Sequence, residues 1–240
     1  FPQEGFDLHN GDLSFHGISL KYLIDKYGTP FKLTYLPKIG DQIKKAKNWF
    51  NRSMKNQHYQ GKYRYCYCTK CCHFSIPILD NTNELDQILE RIKGNIKVGI
   101  RVAIEQEPQS AYYTSRLGIR PTEVIKYYKE KIARKKRVQV TMLHLFVDTC
   151  IRDTLYYWGE FKKALKIFAE LKKICPTLTA INIGGGFPIS NNLSFEYDYK
   201  YMVDEIISNI KATCDQEGIE HPDIYTEFGK YTVGESGATI

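Results

Sequence analysis

The stretch Ala180-Ile-Asn-Ile-Gly-Gly-Gly186 lies between two helical patterns, and its reading decides the fold class. Upstream, about Thr154 to Ile174 repeats Phe161, Leu165, Phe168 and Leu171 at helical spacing before Pro176 stops it. Downstream, about Phe195 to Cys214 sets Met202, Ile206 and Ile210 on one face. A short apolar run between two such helices reads as a strand of a parallel sheet, because parallel neighbours are joined by helical crossovers. The same reading gives strands at Tyr63 to Thr69, Ile76 to Leu79, Lys97 to Ile104, Val138 to Val147 and Asp223 to Glu227, which with Ala180 to Ile183 makes six. A closed barrel of this class needs eight.

Residues 1–30 read differently, as an appendage with a turn at Asn10-Gly11, a strand around Leu13 to His16, and a helix from about Leu20 to Tyr27 ended by Gly28 and Pro30. With 240 residues, 42% hydrophobic and 25% charged, the whole fits an ordinary soluble globular protein with one large core. The longest apolar runs, such as Met142 to Val147, fall far short of the roughly 20 residues that span a bilayer, and no export signal is read, so neither membrane nor secretion is expected. Seven cysteines, an odd number, favour reduced thiols in a cytoplasmic protein. The formal charge is +7, densest at Lys131, Arg134, Lys135, Lys136 and Arg137. No aromatic residue interleaves there as a nucleic-acid stacking surface would require, so the cluster reads as a solvated helix end.

Four places carry possible chemistry. In Tyr63-Arg-Tyr-Cys-Tyr-Cys-Thr-Lys70, strand alternation puts Tyr63, Tyr65 and Tyr67 on one face and Arg64, Cys66, Cys68 and Lys70 on the other. Lys70 then ends the strand, where a desolvated lysine forms a Schiff base with a carbonyl; a plain surface lysine is the alternative. Cys66, Cys68, Cys71 and Cys72, followed by His73, invite zinc, but no second ligand arm exists, and small apolar side chains lining a core are the better reading of the cysteines. No metal is expected. Gly184, Gly185 and Gly186 follow a strand directly and offer backbone N–H groups to an anion, or form a tight turn. Glu227, Gly229 and Lys230 bring an acid and a base to the same rim, or a surface ion pair. A Schiff-base lysine, a phosphate cradle and an acid at a pyridine nitrogen are together what pyridoxal phosphate requires.

Tyr27-Gly-Thr-Pro30, Tyr67-Cys-Thr-Lys70, Gly99-Ile-Arg101, Ser115-Arg-Leu-Gly118, Ile183-Gly-Gly-Gly-Phe187 and Glu227-Phe-Gly-Lys-Tyr231 stand in the order used by the alanine-racemase-like amino-acid decarboxylases. The chain resembles that family over nearly its whole length. Met142-Leu-His-Leu, Asp153-Thr-Leu-Tyr-Tyr-Trp158 and Thr232-Val-Gly-Glu-Ser-Gly-Ala-Thr239 look most like its biosynthetic arginine decarboxylases. The resemblance implies a TIM-like (β/α)8 barrel over 31–240 that binds pyridoxal 5'-phosphate. It implies decarboxylation of a basic amino acid in polyamine biosynthesis, most of all L-arginine to agmatine. It makes Lys70 the cofactor-bearing lysine, Gly184, Gly185 and Gly186 the phosphate cradle, and Glu227 the acid at the pyridine nitrogen. Lys230, beside Gly229, stands where the family usually has a phosphate-binding arginine, and Thr149 where a phosphate-contacting serine is usual. Arg101 lies near the ring. Phe146 takes the place of the ring-stacking histidine, and His144 matches a histidine two positions earlier.

Two departures from the family carry expectations of their own. Between Ser75 and Ile76 the family runs through two further strands with their helices, so the barrel is expected to be incomplete here by about two βα units. The chain stops at Ile240, just after the last barrel strand, so the family's C-terminal β domain is expected to be absent. The family's sites lie at a two-fold interface, which implies a homodimer or higher homo-oligomer. Alternatives remain: a decarboxylase for ornithine, lysine, diaminopimelate or carboxynorspermidine, a non-catalytic regulatory relative, or a cysteine-rich metal or nucleic-acid binder.

Overall fold

The computed structural model describes residues 5–67, 76–103, 117–147, 149–190 and 194–240. Asn10 and Gly11 both adopt positive φ, 51° and 83°, the twist that lets a two-residue turn join β1 (Phe6–His9) to β2 (Asp12–Phe15). β3 (Ile18–Ser19) adds to β2, and the Ser19 hydroxyl caps helix α1 (Leu20–Tyr27) by accepting from the Tyr22 N–H at 3.2 Å. The expected turn, strand and helix of the first thirty residues are all present.

The main body follows as β4 (Lys32–Thr34), α2 (Leu36–Asn56), β5 (Tyr63–Cys66), β6 (Ile78–Leu79), α3 (Glu84–Arg91), β7 (Ile96–Arg101) and α4 (Pro121–Tyr127). α4 runs on as a π-helical turn, Tyr128–Ile132. Then come β8 (Val138–His144), α5 (Leu155–Ile174), β9 (Ala180–Asn182), α6 (Tyr199–Glu217), β10 (Asp223–Glu227), α7 (Gly229–Val233) and β11 (Gly237–Thr239). Six strands form one parallel sheet in the order β5-β10-β9-β8-β7-β6. This is the α/β alternation read from the sequence. The two edges, β5 and β6, are consecutive among the described strands, and no described strand joins them across the seam. β4 and β11 pair separately as an antiparallel ribbon.

Several boundaries differ from the sequence reading. β8 ends at His144 rather than Val147, and α6 starts at Tyr199 rather than near Phe195, because the Asp198 carboxylate accepts from the N–H groups of Lys200 and Tyr201 and fixes the helix start. Helix α2 is invisible to an apolar-period reading. Its buried face is Lys38, Gln42, Ala46, Phe50, Ser53 and Met54, half of it polar. Lys38 and Gln42 tolerate burial because Glu235 meets both, at 3.9 and 3.4 Å.

Strand alternation on β5 holds as read. Tyr63 stacks on Phe50 of α2 with ring centroids 4.1 Å apart, and its hydroxyl shares a hydrogen bond with Thr226. Tyr65 bonds Thr232 on the same side. Cys66 lies in register with Glu227, on the opposite face. The basic cluster is partly consumed within the fold: Arg137 donates to the carbonyls of Leu89 and Ile92, at the C-terminal end of α3, and Lys135 pairs with Asp86. No described helix is long and apolar enough to cross a membrane.

Phe50 is fully buried and touches the rings of Tyr63, Phe187 and Phe228. Phe50→Ala is expected to lower stability by about 3–5 kcal/mol, read from denaturant unfolding.

Candidate functional site

Four polar side chains lie in a row at the C-terminal ends of adjacent strands. Arg101 of β7 is in register with His144 of β8, and His144 with Asn182 of β9. Glu227 ends β10, the next strand. In parallel α/β sheets this is the end where ligand-binding side chains collect.

Asn182 links two parts of this row. Its Nδ2 donates to Glu227 Oε1 at 2.7 Å, and its Oδ1 accepts from the Gly184 N–H at 2.9 Å. The Glu227 N–H in turn donates to the Gly184 carbonyl at 2.8 Å. A hydrogen bond to a charged acceptor contributes about 1.5–3 kcal/mol. Glu227 is therefore tied inward to Asn182, which overturns the reading of Glu227 and Lys230 as a surface ion pair; Lys230 is exposed on α7. Oε2 of Glu227 has no partner among the described residues.

His144 Nε2 stands 3.8 Å from the same Glu227 oxygen. Burial, reinforced by the nearby Arg101 charge, pushes the imidazole pKa down to about 3, so the ring is neutral at physiological pH. Its Nδ1 is buried without a hydrogen-bond partner among the described residues. Arg101 is itself anchored, with Nη1 3.3 Å from Asp80 Oδ1. On β5, burial first and the Glu227 charge second raise the pKa of the Cys66 thiol, which keeps it protonated.

The three glycines are there because nothing larger fits. A Cβ at position 184 would lie 2.8 Å from the Leu145 carbonyl oxygen and 2.9 Å from Phe146 Cδ2. At position 185 it would lie 2.5 Å from the Glu227 carbonyl oxygen, and at 186 it would meet Cys150 Cα at 3.2 Å. Gly184 and Gly186 also hold φ of 70° and 109°. The turn thus touches Phe146, Cys150, Ile151 and Glu227, with the Ile151 N–H donating to the Gly186 carbonyl. The Gly184 amide is already committed to Asn182, so the cradle expected from all three glycines has at most two amides to offer a ligand.

Of the residues singled out in the sequence, Arg101, His144, Phe146, Gly184, Gly185, Gly186 and Glu227 converge. Thr149, exposed, adjoins Cys150 beside the turn, and Gly229 opens α7 two residues after Glu227. Lys70, Cys68, Cys71, Cys72 and His73 lie outside the described residues, as does the Ser75 side of the 75/76 junction. Asn182 escaped the sequence reading, although one polar residue in Ala180-Ile-Asn-Ile183, directly before the glycines, was the available signal.

The arrangement suits pyridoxal phosphate: a glycine turn that excludes side chains, a flat Phe146 beside it, a carboxylate with one oxygen held and the other unengaged, and an orphaned buried imidazole nitrogen. Residues 69–234 match the family described as "Pyridoxal-dependent decarboxylase, pyridoxal binding domain". A biosynthetic arginine decarboxylase of Prochlorococcus marinus (strain MIT 9215) is 23% identical over 180 residues, covering 69% of this chain, and the chain spans 28% of that relative's length. Among solved structures, the biosynthetic arginine decarboxylase of Campylobacter jejuni superposes with a TM-score of 0.71 at 20% identity, over 98% of this chain and 52% of its own. A diaminopimelate decarboxylase of M. jannaschii reaches a TM-score of 0.82 at 15% identity, over 99% and 69%. With its strand ends, its glycine turn and its sequence in agreement, the chain belongs to the pyridoxal-dependent decarboxylases, whose pyridoxal-binding domain it carries.

Proposed function

We propose that this chain is the cofactor platform of a decarboxylase for a basic amino acid, with L-arginine, giving agmatine and carbon dioxide, the first substrate to test. The observation that carries the reading is the convergence of Arg101, His144, Asn182, Glu227 and the glycine turn at neighbouring strand ends. Arginine is favoured over lysine, ornithine, diaminopimelate or carboxynorspermidine by the curated relative named above, and by the His144 and Asp153 to Trp158 motifs.

Bound here, pyridoxal phosphate supplies an electron sink for the pair released when the carboxylate leaves. The protein's part is orientation and charge. Lys70, four positions past Cys66 in the sequence and outside the described residues, is assigned the covalent attachment. Glu227, with Oε1 held by Asn182, would hold the ring nitrogen through Oε2 and keep a proton there, the positive charge that an electron sink requires. His144 stays neutral and adds no competing positive charge beside Glu227. Phe146 offers a flat face for the ring, and the Gly185 and Gly186 amides, with Thr149 and Lys230, are assigned the phosphate end. Arg101, braced by Asp80, borders His144 on the ring side.

Two closing strands with their helices, between residues 75 and 76, would complete the barrel at the seam between β5 and β6.

Lys70→Ala is expected to abolish the visible absorbance that develops when the protein is mixed with pyridoxal phosphate; unchanged absorbance would remove Lys70 from its role. Glu227→Ala is expected to keep partial cofactor binding while losing most carbon dioxide release from arginine, and near-normal turnover would refute its assignment. The depressed pKa of His144 also sets a direction for acid stability. The unfolded imidazole takes a proton near pH 6.5 while the folded one does not until about pH 3, so stability is lost as pH falls below 6.5, by at most about 1.4 kcal/mol per unit. In His144→Gln the fall between pH 6.5 and 5, followed by denaturant unfolding, should shrink by about 1.5 kcal/mol.

A further inference from the structure

Asn182 touches both parts of the site that the proposed function assigns to opposite ends of the cofactor. Its amide nitrogen holds the acid meant for the ring nitrogen, at 2.7 Å, and its amide oxygen holds the first amide of the glycine turn meant for the phosphate, at 2.9 Å. The Glu227 N–H closes the circuit on the Gly184 carbonyl. Asn182 is 4% exposed, so neither bond is diluted by water.

The chemistry restricts this task to a side chain that can both accept and donate. A backbone N–H only donates and a carboxylate only accepts, so the bridging group must accept on one side and donate on the other. An aspartate would accept on both sides and set two carboxylates against each other; an alanine would do neither. Asparagine does both in one fixed orientation, because the Gly184 N–H forces the amide oxygen toward itself and thereby the NH2 toward Glu227.

We infer that Asn182 is a positioning residue that couples the two ends of the cofactor site, so that an anion on the glycine turn tightens the hold of Glu227 on the ring nitrogen, and the reverse. An anion drawing on the Gly185 and Gly186 amides sets the turn, the turn sets the Asn182 amide, and the amide sets the free oxygen of Glu227. By linkage the effect is reciprocal: each ligand changes the affinity for the other by the same factor. Among the described residues, the other ionisable groups beside Glu227 are His144 and Cys66, and the side-chain hydrogen bond to the Gly184 amide comes from Asn182.

The inference rests on the cofactor reading, and the test separates the two. The probes are inorganic phosphate and 4-deoxypyridoxine, which keeps the pyridine nitrogen but has neither phosphate nor the aldehyde that would react with Lys70. Titration calorimetry on the full chain should show phosphate tightening 4-deoxypyridoxine binding by about fivefold or more, and 4-deoxypyridoxine tightening phosphate equally. In Asn182→Ala this mutual effect should vanish while each probe still binds. Asn182→Asp keeps the acceptor for Gly184 and the side-chain shape, so it serves where the alanine variant does not fold. There the crowded pair of carboxylates must share a proton, and the pH profile of 4-deoxypyridoxine binding, which follows the probe's own pyridine nitrogen in the unaltered chain, should shift to higher pH. Coupling that is absent from the unaltered chain, or that survives in Asn182→Ala, overturns the role of Asn182, as does an Asn182→Asp profile that coincides with that of the unaltered chain. Those results leave the cofactor reading standing if pyridoxal phosphate still gives its visible band. Failure of the unaltered chain to bind pyridoxal phosphate overturns both.

Discussion

The candidate site depends on a packing constraint: between the ends of β8, β9 and β10 there is no room for a Cβ. Gly184 is pressed against Leu145 and Phe146, Gly185 against Glu227, and Gly186 against Cys150. Because those approaches are to backbone atoms at three of the four places, a side chain there could be accommodated only by moving the strand ends themselves. The approach brings Phe146, Cys150, Ile151 and Glu227 to one turn, and it leaves Asn182 spanning the short gap between β9 and β10. The glycines thus matter at least as much for what they exclude as for the amides they present.

Behind the sheet, an aromatic wall fixes where those strand ends lie. Phe187, one residue past the turn, stacks on Phe228, one residue past Glu227, at 4.1 Å between centroids. Phe50 and Tyr63 extend the stack toward α2 and β5, and Tyr231, Tyr199 and Trp49 close it on the side of α6 and α7. The residues that flank the chemistry in sequence are therefore also the ones that clamp it from behind. Glu227 faces the site and Phe228 faces the wall because strand side chains alternate.

Much of this was legible in the sequence wherever one physical signal acted alone. The helical repeat of Phe161, Leu165, Phe168 and Leu171 located α5, and the residue before its first turn, Thr154, caps it as its chemistry suggests. The alternation on β5 holds from Tyr63 to Cys66, whereas the grouping of Arg101, His144, Phe146 and Glu227 is expected from the family resemblance and from no pattern in the residues themselves. Where two signals competed, the sequence misled. α2 hid because buried Lys38 and Gln42 break its apolar stripe, and their partner, Glu235, lies at the far end of the chain. Asn182 hid because a single polar residue inside a strand carries no period. The pairing of Glu227 was misread because Lys230 is near in sequence, whereas Asn182, 45 residues away, is near in space.

β5 stands at an edge of the sheet, and its partner there is β10. The contacts that seat this junction join residues 161 apart: the Lys62 N–H on Asp223 and the Gln60 N–H on the ring of His221. A ribosome adding about 5–20 residues each second takes on the order of 10–30 s to cover that span. For that interval β5 waits for β10, its partner among the described residues, and α2, already made, can cover Tyr63 through the Phe50 ring before a neighbouring polypeptide does.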